Sequence, residues 1–204
     1  GAGLAVAGPA RHIAPPRLAP HLTTDCRAEA GLCHQGNLAL ASVGGQAWLM
    51  GGTGHALIAL LDPMGRHGRA ARDTCLRGLR RLAKDQGRMP VAYKIGAGLA
   101  ARARRQGFAV RRVGWEAWLC PLDYRLGSSS RSGLRRKLRR AEAAGVTVTP
   151  CPAEAAPWAA LDHIAQDWAR AHGGERGFSM GRHHRAYLAH QLLYIAWQAE
   201  RPIA

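Results

Sequence analysis

Apolar residues in the first half of the chain fall into short runs punctuated by glycine. A weak helical pattern over residues 23–34 leads to NLALAS (37–42), and AWLM (47–50) is joined through GGTG to HALIALLDP. Two apolar runs around a glycine turn predict a β-hairpin. The second run ends in Asp62 and Pro63, and the loop over residues 65–70 opens a helix to about Gln86. Cys75, Leu79 and Leu82 lie on its inner face, and Gly87 closes it. A strand at 91–95, a helix at 99–106 stopped by Gly107, a strand at 108–113 and an extended run at 116–122 follow. The order ββαβαββ with short connections predicts a mixed sheet with helices packed on it.

Residues 128–145, SSSRSGLRRKLRRAEAAG, predict a strongly basic helix. Its serines offer N-cap oxygens, Leu134, Leu138 and Ala141 make a narrow apolar stripe, and Gly145 is a helical stop. Off that stripe, Arg135 and Arg139 lie on one flank and Arg136 and Arg140 opposite, with Arg131 and Lys137 beside it. Only Glu142 offsets them. A solvated helical face normally alternates sign so that neighbours one turn apart attract. These repel, which favours an anionic partner over plain solvation.

Beyond the helix, residues 146–149 alternate as a strand. Residues 157–172 form a helix whose Trp158, Leu161, Ala165 and Trp168 recur at core spacing. GERGFSMGR (174–182) is a loop dense in glycine and charge with no evident packing requirement, which marks it for function. Residues 192–198 read as a strand or the end of a helix and 199–201 as a turn, and the chain then stops as if within a fold.

A length of 204 residues suits one large domain or two small ones, and 47% hydrophobic content excludes a disordered chain. The net charge of +16, from 29 Lys and Arg against 13 Asp and Glu, points to nucleic acid, anionic lipid or both. Five scattered cysteines without a CxxC pair indicate a reducing compartment. Ten histidines are present without HExxH, and His183, His184 and His190 have no Cys or carboxylate at ligand spacing, so no metal site is expected. The glycine loop at Gly65 is a natural anion site at a helix N-terminus. It lacks the Gln or Arg that opens the pyrophosphate pattern of acyl-CoA-dependent acetyltransferases, so no coenzyme A is expected. The apolar run that begins the chain is too short to span a bilayer, which needs about 20 residues. Two readings of it stand, the end of a membrane helix or a disordered leader.

Taken in order, the Pro/Arg linker, NLAL, LDPMG, AYKIG, GWEA, LRRKLRRAEAAGV and ERGFSMGR resemble the cytoplasmic synthase domain of bacterial phosphatidylglycerol lysyltransferases, the lysylphosphatidylglycerol synthases. The likeness covers roughly residues 9–204. It implies an α+β chain of tandem N-acetyltransferase-like folds, the second incomplete: a juxtamembrane linker at 1–22, a first fold at 23–126 and the start of a second at 127–204. The implied activity moves an aminoacyl group from charged tRNA, lysyl-tRNA in the family's namesake, to the glycerol hydroxyl of phosphatidylglycerol. Its implied place is the cytoplasmic face of the bacterial inner membrane, with an upstream transmembrane part of the same protein as partner.

Exchanging one ester for another needs no redox cofactor. It needs two anionic substrates held together and an oxyanion stabilised. On this reading Arg131, Arg135, Arg136, Lys137, Arg139 and Arg140 bind tRNA or lipid phosphate, and Ser179, Gly181 and Arg182 line the transfer site. Asp62 and Glu116 are polar anchors at strand ends. A plain surface role for Arg182 and a turn-forming role for Asp62 stand beside these. Two other classes stay open: a non-catalytic RNA- or anionic-membrane-binding module, and an aminoacyl-tRNA transferase with a peptidoglycan-precursor or protein acceptor.

Overall fold

The computed structural model describes residues 28–65, 68–117 and 119–204. The linker expected over residues 1–22 and the beginning of the helical pattern from residue 23 lie outside the described residues. The chain divides into two units, one comprising Gly1–Val113 with Arg176–Tyr187, the other Gly114–Glu175 with Leu188–Ala204.

In the first unit a 3-10 helix, Ala28–Gln35, precedes strands β1 (Ala39–Val43), β2 (Gln46–Gly52) and β3 (Ala56–Leu60). The strands pair antiparallel in sequence, with Ala41 opposite Trp48 and Leu49 opposite Leu60. The β2–β3 hairpin forms as its glycines predict. Its turn is tied by the Thr53 N–H donating to the Ala56 carbonyl at 2.9 Å, while Thr53 Oγ1 accepts from the His55 and Ala56 amides. Helix α1 (Arg69–Asp85) then leads to β4 (Met89–Tyr93), which pairs parallel with β3, and α2 (Ala97–Arg105) follows. The result is a mixed sheet in the order β1-β2-β3-β4.

Alternate residues of a strand face opposite sides of its sheet. β2 therefore sends Trp48 and Met50 to one face and Ala47 and Leu49 to the other, and both faces are buried. The first face packs against Cys75, Leu76, Leu79 and Ala83 of α1 and Leu99 of α2. The second is covered by Leu32, Leu38, Leu61 and Met64, with Tyr93, Phe178 and Tyr187 packed on it. Trp48 is fully buried, and its indole N–H donates to the Leu61 carbonyl at 2.9 Å, so burial leaves that donor satisfied. The β1–β2 turn has Gly44 at φ +60° against α1 and Gly45 at φ +81° in open space. A Cβ on Gly44 would lie 2.7 Å from the Thr74 carbonyl carbon and oxygen.

Two expected strands are absent. Neither residues 108–113 nor the described residues of 116–122 form a ladder. Phe108 and Val110 satisfy the alternating pattern by packing on the first core, and the Arg80 guanidinium lies 4.1 Å over the Phe108 ring. Glu116 is consequently exposed in irregular chain and not at a strand end.

The second unit contains α3 (Ser132–Ala143), β5 (Val146–Cys151), α4 (Trp158–Ala171), β6 (Leu193–Gln198) and β7 (Arg201–Pro202). Its sheet has the order β5-β6-β7, antiparallel throughout, with Val146 opposite Gln198 and Cys151 opposite Leu193. Ala199 and Glu200, both at positive φ, make the turn into β7. The core here is thin: among the described residues only Ala156 and Ile195 are buried apolar side chains. Trp168, expected in a core, is 51% exposed and stacks on the His172 ring at 4.3 Å.

The basic helix ends as predicted at Gly145, φ +75°, whose amide donates to the Glu142 carbonyl. Its start differs from expectation. A 3-10 turn, Ser129–Arg131, precedes α3, and no serine side chain caps the helix. The Ser128 hydroxyl instead accepts from Arg131 at 2.8 Å. Among the described residues no helix is long and apolar enough to cross a membrane.

Candidate functional site

The loop GFSMGR belongs to the first unit, where it lies against the sheet and the 3-10 helix. Its seating is dictated by packing, contrary to the sequence-based expectation that no packing required it. Phe178, at φ +62°, places its ring 6.3 Å from that of Tyr93 in a stacked arrangement. Gly51 of β2 admits that ring, because a Cβ there would stand 2.7 Å from Phe178 Cε2 and 2.8 Å from Leu38 Cδ2. Gly181 is covered by Tyr187, to which a Cβ would come within 3.0 Å.

Gln35 fixes the loop chemically. Among the described residues it is the buried polar one, with no exposed surface. Its Nε2 donates to the Phe178 carbonyl at 3.0 Å, and its Oε1 accepts from the Arg182 amide at 3.2 Å. Its own carbonyl accepts from Arg182 Nη2 at 3.0 Å. A buried amide satisfied on both ends is specific in geometry, because either lost partner leaves a desolvated group behind. Lys94, at φ +56° just after β4, donates from Nζ to the Ser179 carbonyl at 3.0 Å.

Arg182 thus uses part of its five-donor guanidinium to hold position and keeps the rest. Its Nε is buried without a protein partner, as are Asn37 Oδ1 and His184 Nδ1 nearby in sequence to Gln35 and Arg182. Lys94 therefore reaches the Ser179 carbonyl, and Arg182 is held three residues further along the same loop. Two cationic donors on one loop suit recognition of an oxygen-rich group.

Asp62 acts on another part of the unit. Its Oδ1 accepts the Gly96 amide at 2.7 Å, where Gly96 is the N-cap residue of α2, so Asp62 anchors the start of that helix. In the second unit, two of the six cations predicted to meet phosphate are engaged with their own chain. Arg131 lies 4.3 Å over the Tyr124 ring and donates to the Arg125 carbonyl at 3.1 Å. Arg135 donates to the Leu126 and Ser128 carbonyls at 2.8 and 2.6 Å. Both hold residues 124–128 against the start of α3. Arg136, Lys137, Arg139 and Arg140 are exposed on that helix.

The structure therefore brings Ser179, Gly181 and Arg182 together and adds Gln35, Asn37, Tyr93 and Lys94, which sequence reasoning missed. Gln35 gave one faint signal, a polar residue directly before the Gly36-Asn37 pair that ends the helical pattern. Among the described residues no group of three His, Cys, Asp or Glu side chains is placed to hold a metal ion.

Solved structures share this fold. The C-terminal domain of a candidate lysylphosphatidylglycerol synthetase from Agrobacterium fabrum aligns over 92% of this chain and 60% of its own, at 20% identity and a TM-score of 0.79. L-PGS from Bacillus licheniformis aligns over 96% of this chain and 63% of its own, at 21% identity and a TM-score of 0.78. The chain thus spans less than two thirds of either structure, and at these identities the likeness is one of fold. No curated protein matches it. The match that reaches beyond fold is to the family described as phosphatidylglycerol lysyltransferase, C-terminal, which takes in residues 18–204, and this chain belongs to that family.

Proposed function

We propose that the chain forms part of an enzyme that transfers an aminoacyl group, lysyl in the first instance, from charged tRNA to the glycerol hydroxyl of phosphatidylglycerol. The observation that carries this reading is Arg182, held against the first unit by Gln35 while its Nε stays buried and unmatched. Family membership supplies the reaction class, and the net charge of +16 suits two anionic substrates.

The chemistry is an ester exchange. The lipid hydroxyl oxygen attacks the aminoacyl carbonyl carbon, a new C–O bond forms, and the bond to the tRNA ribose oxygen breaks. The hydroxyl proton passes to the departing ribose oxygen. Negative charge collects on the carbonyl oxygen in between, and the partly exposed guanidinium of Arg182 is the donor assigned to it. Ser179 and Gly181 shape the chain beside that point, and Lys94 holds it through the Ser179 carbonyl. Arg136, Lys137, Arg139 and Arg140 are assigned to substrate phosphate. Asp62 stays a structural anchor.

The same reading takes residues 23–126 and 127–204 as tandem acetyltransferase-like folds, with residues 176–187 of the second stretch contributed to the first unit. It places the protein at the cytoplasmic face of a bacterial inner membrane, next to a transmembrane part of the same protein, where the product lowers the negative charge of the surface.

The test is a transfer assay with the full-length enzyme, lysyl-tRNA and phosphatidylglycerol vesicles. Arg182→Ala is expected to lower turnover by roughly 100-fold or more while tRNA affinity holds. Equal losses in turnover and tRNA affinity would reassign Arg182 to docking. Transfer to a peptidoglycan precursor or a protein terminus, with none to the lipid, would end the lipid reading.

A further inference from the structure

Taken together, the two helices of the first unit carry more uncompensated charge than the basic helix α3. α1 and α2 hold nine Lys or Arg against Asp73 and Asp85, whereas α3 holds five against Glu142. How the fold distributes those nine decides what they can meet. α1 buries Cys75, Leu76, Leu79 and Ala83, so at about 100° per residue Arg77, Arg81 and Lys84 project from its opposite side. All three are exposed. Their spacing of i, i+4 and i+7 sets them in one row over about 10 Å of helix. α2 buries Leu99 and Ala103, which leaves Arg104 and Arg105 exposed beside them in sequence.

Of the two acids on α1 one is occupied, which leaves Asp85, one turn beyond Arg81, as the single carboxylate facing the row. Asp73 is paired with Arg102 and also accepts from Gln106 at 3.0 Å, a partly buried cluster that fastens α1 to α2. Arg77 donates to the neutral Thr74 hydroxyl at 2.9 Å, and its charge is also felt by Asp73. A recess of about 600 Å³ runs beside the row, between α1 and the β1–β2 turn, lined by Arg77 and Arg81 with Asp85 as its one acid. Its floor includes Gly44 and Gly78, which approach so closely that a Cβ on Gly78 would meet the Gly44 nitrogen at 3.0 Å.

The kind of polyanion follows from what is missing beside the charge. Binding at a bilayer surface uses apolar side chains that enter the interface next to the cations. Neither α1 nor α2 exposes a large apolar side chain; the strongly exposed ones of the described chain lie elsewhere, Trp115, Leu122 and Leu192 among them. A row of cations with no large exposed apolar side chain on its helices fits discrete, hydrated phosphates, which the guanidinium groups grip in a bidentate manner.

We propose that the exposed face of α1 and α2, centred on Arg77, Arg81 and Lys84, docks the sugar-phosphate backbone of RNA. This deepens the transfer reading by giving its RNA substrate a surface, and it rests on that reading for the choice of RNA among polyanions. Contacts of this class are independent of base sequence and respond strongly to salt.

The experiment uses the 204-residue chain, unfractionated deacylated tRNA and, in parallel, vesicles of phosphatidylglycerol with phosphatidylcholine, each titrated across a range of salt. For Arg77→Gln/Arg81→Gln/Lys84→Gln, the log–log salt slope for tRNA is expected to shrink by roughly 2 to 3, at about 0.7 to 0.9 per contact, with vesicle binding unchanged. Should the triple variant lose its native circular dichroism, Arg81→Gln alone is expected to remove one such contact. An unchanged tRNA slope in a folded variant overturns the proposal. So does loss of vesicle binding with tRNA binding intact, which would make this a membrane face. The transfer assay is scored separately. Wild-type enzyme that transfers nothing to phosphatidylglycerol, yet loses tRNA binding on substitution, removes the transfer reading and leaves the surface standing. Active enzyme with an unchanged slope does the reverse.

Discussion

Gln35 and Arg182, 147 positions apart, are joined twice: the Arg182 amide donates to Gln35 Oε1 at 3.2 Å, and the Arg182 guanidinium donates to the Gln35 carbonyl at 3.0 Å. With the bond from Gln35 Nε2 to the Phe178 carbonyl, one buried side chain fixes both ends of a five-residue stretch. Gln35→Leu leaves an N–H and a carbonyl buried without partners, at a cost of about 1–3 kcal/mol each. We expect a lower urea midpoint and faster amide exchange over residues 176–187. Unaltered exchange there would show that the ring of Phe178 alone holds the loop.

Acid sensitivity has an identifiable source in the first unit. The hydrogen bond from Arg102, helped by Gln106, holds the Asp73 carboxyl below its ordinary range. A depressed folded value means that the charged form stabilises the fold. That contribution is fully present above the unfolded value near 4 and is lost as pH falls through the folded one. Asp73→Asn is therefore expected to melt earlier than wild type at pH 6–7, with the gap closing below about pH 4. A gap independent of pH would locate the effect in packing.

The β1–β2 turn offers a matched pair of substitutions. Gly45→Ala, at φ +81° with nothing within 4 Å of the added Cβ, meets only the left-handed backbone cost of about 1–2 kcal/mol. Gly44→Ala, at φ +60°, adds a collision with the Thr74 carbonyl at 2.7 Å and is expected to lower stability at least twice as much. Equal losses in thermal melts would mean that α1 shifts to make room.

Thiol reactivity reports on the first core. Burial pushes the Cys75 thiol up to about 11, whereas Cys120 is exposed. At pH 8 the Cys75 thiol therefore stays protonated and a poor nucleophile. Alkylation followed by peptide mass spectrometry should label Cys120 early and Cys75 only once the chain unfolds. Early labelling of Cys75 would place the α1–sheet contact among the frequent openings of the fold.

The two-sheet framework was legible because its signals are local. GGTG between apolar runs fixes a hairpin, and the inner face of α1 follows from Cys75 and Leu79 at helical spacing. Residues 108–113 misled because an alternating pattern is the same whether a ladder or packing alone buries it, as Phe108 and Val110 show. Trp168 recurs at core spacing on a helix whose unit has little core. Within the candidate site, glycine and charge marked Ser179, Gly181 and Arg182, but their clamp at Gln35 is distant in sequence. Nor does composition reveal whether a guanidinium such as Arg135 is turned to carbonyls of its own chain or kept for a ligand.

Residues 176–187 close the first unit although residues 114–175 come between. On the ribosome, Gln35 and the pocket above Gly51 emerge long before Phe178 and Arg182 exist to fill them. At roughly 5–20 residues per second, the wait from Val113 to Tyr187 lasts about 4–15 s. Until then the nascent first unit shows an unfilled apolar face and an unmatched amide. Its maturation is therefore timed by translation of the segment inserted within it, and a stall inside that segment would expose the half-finished unit to chaperones and proteases.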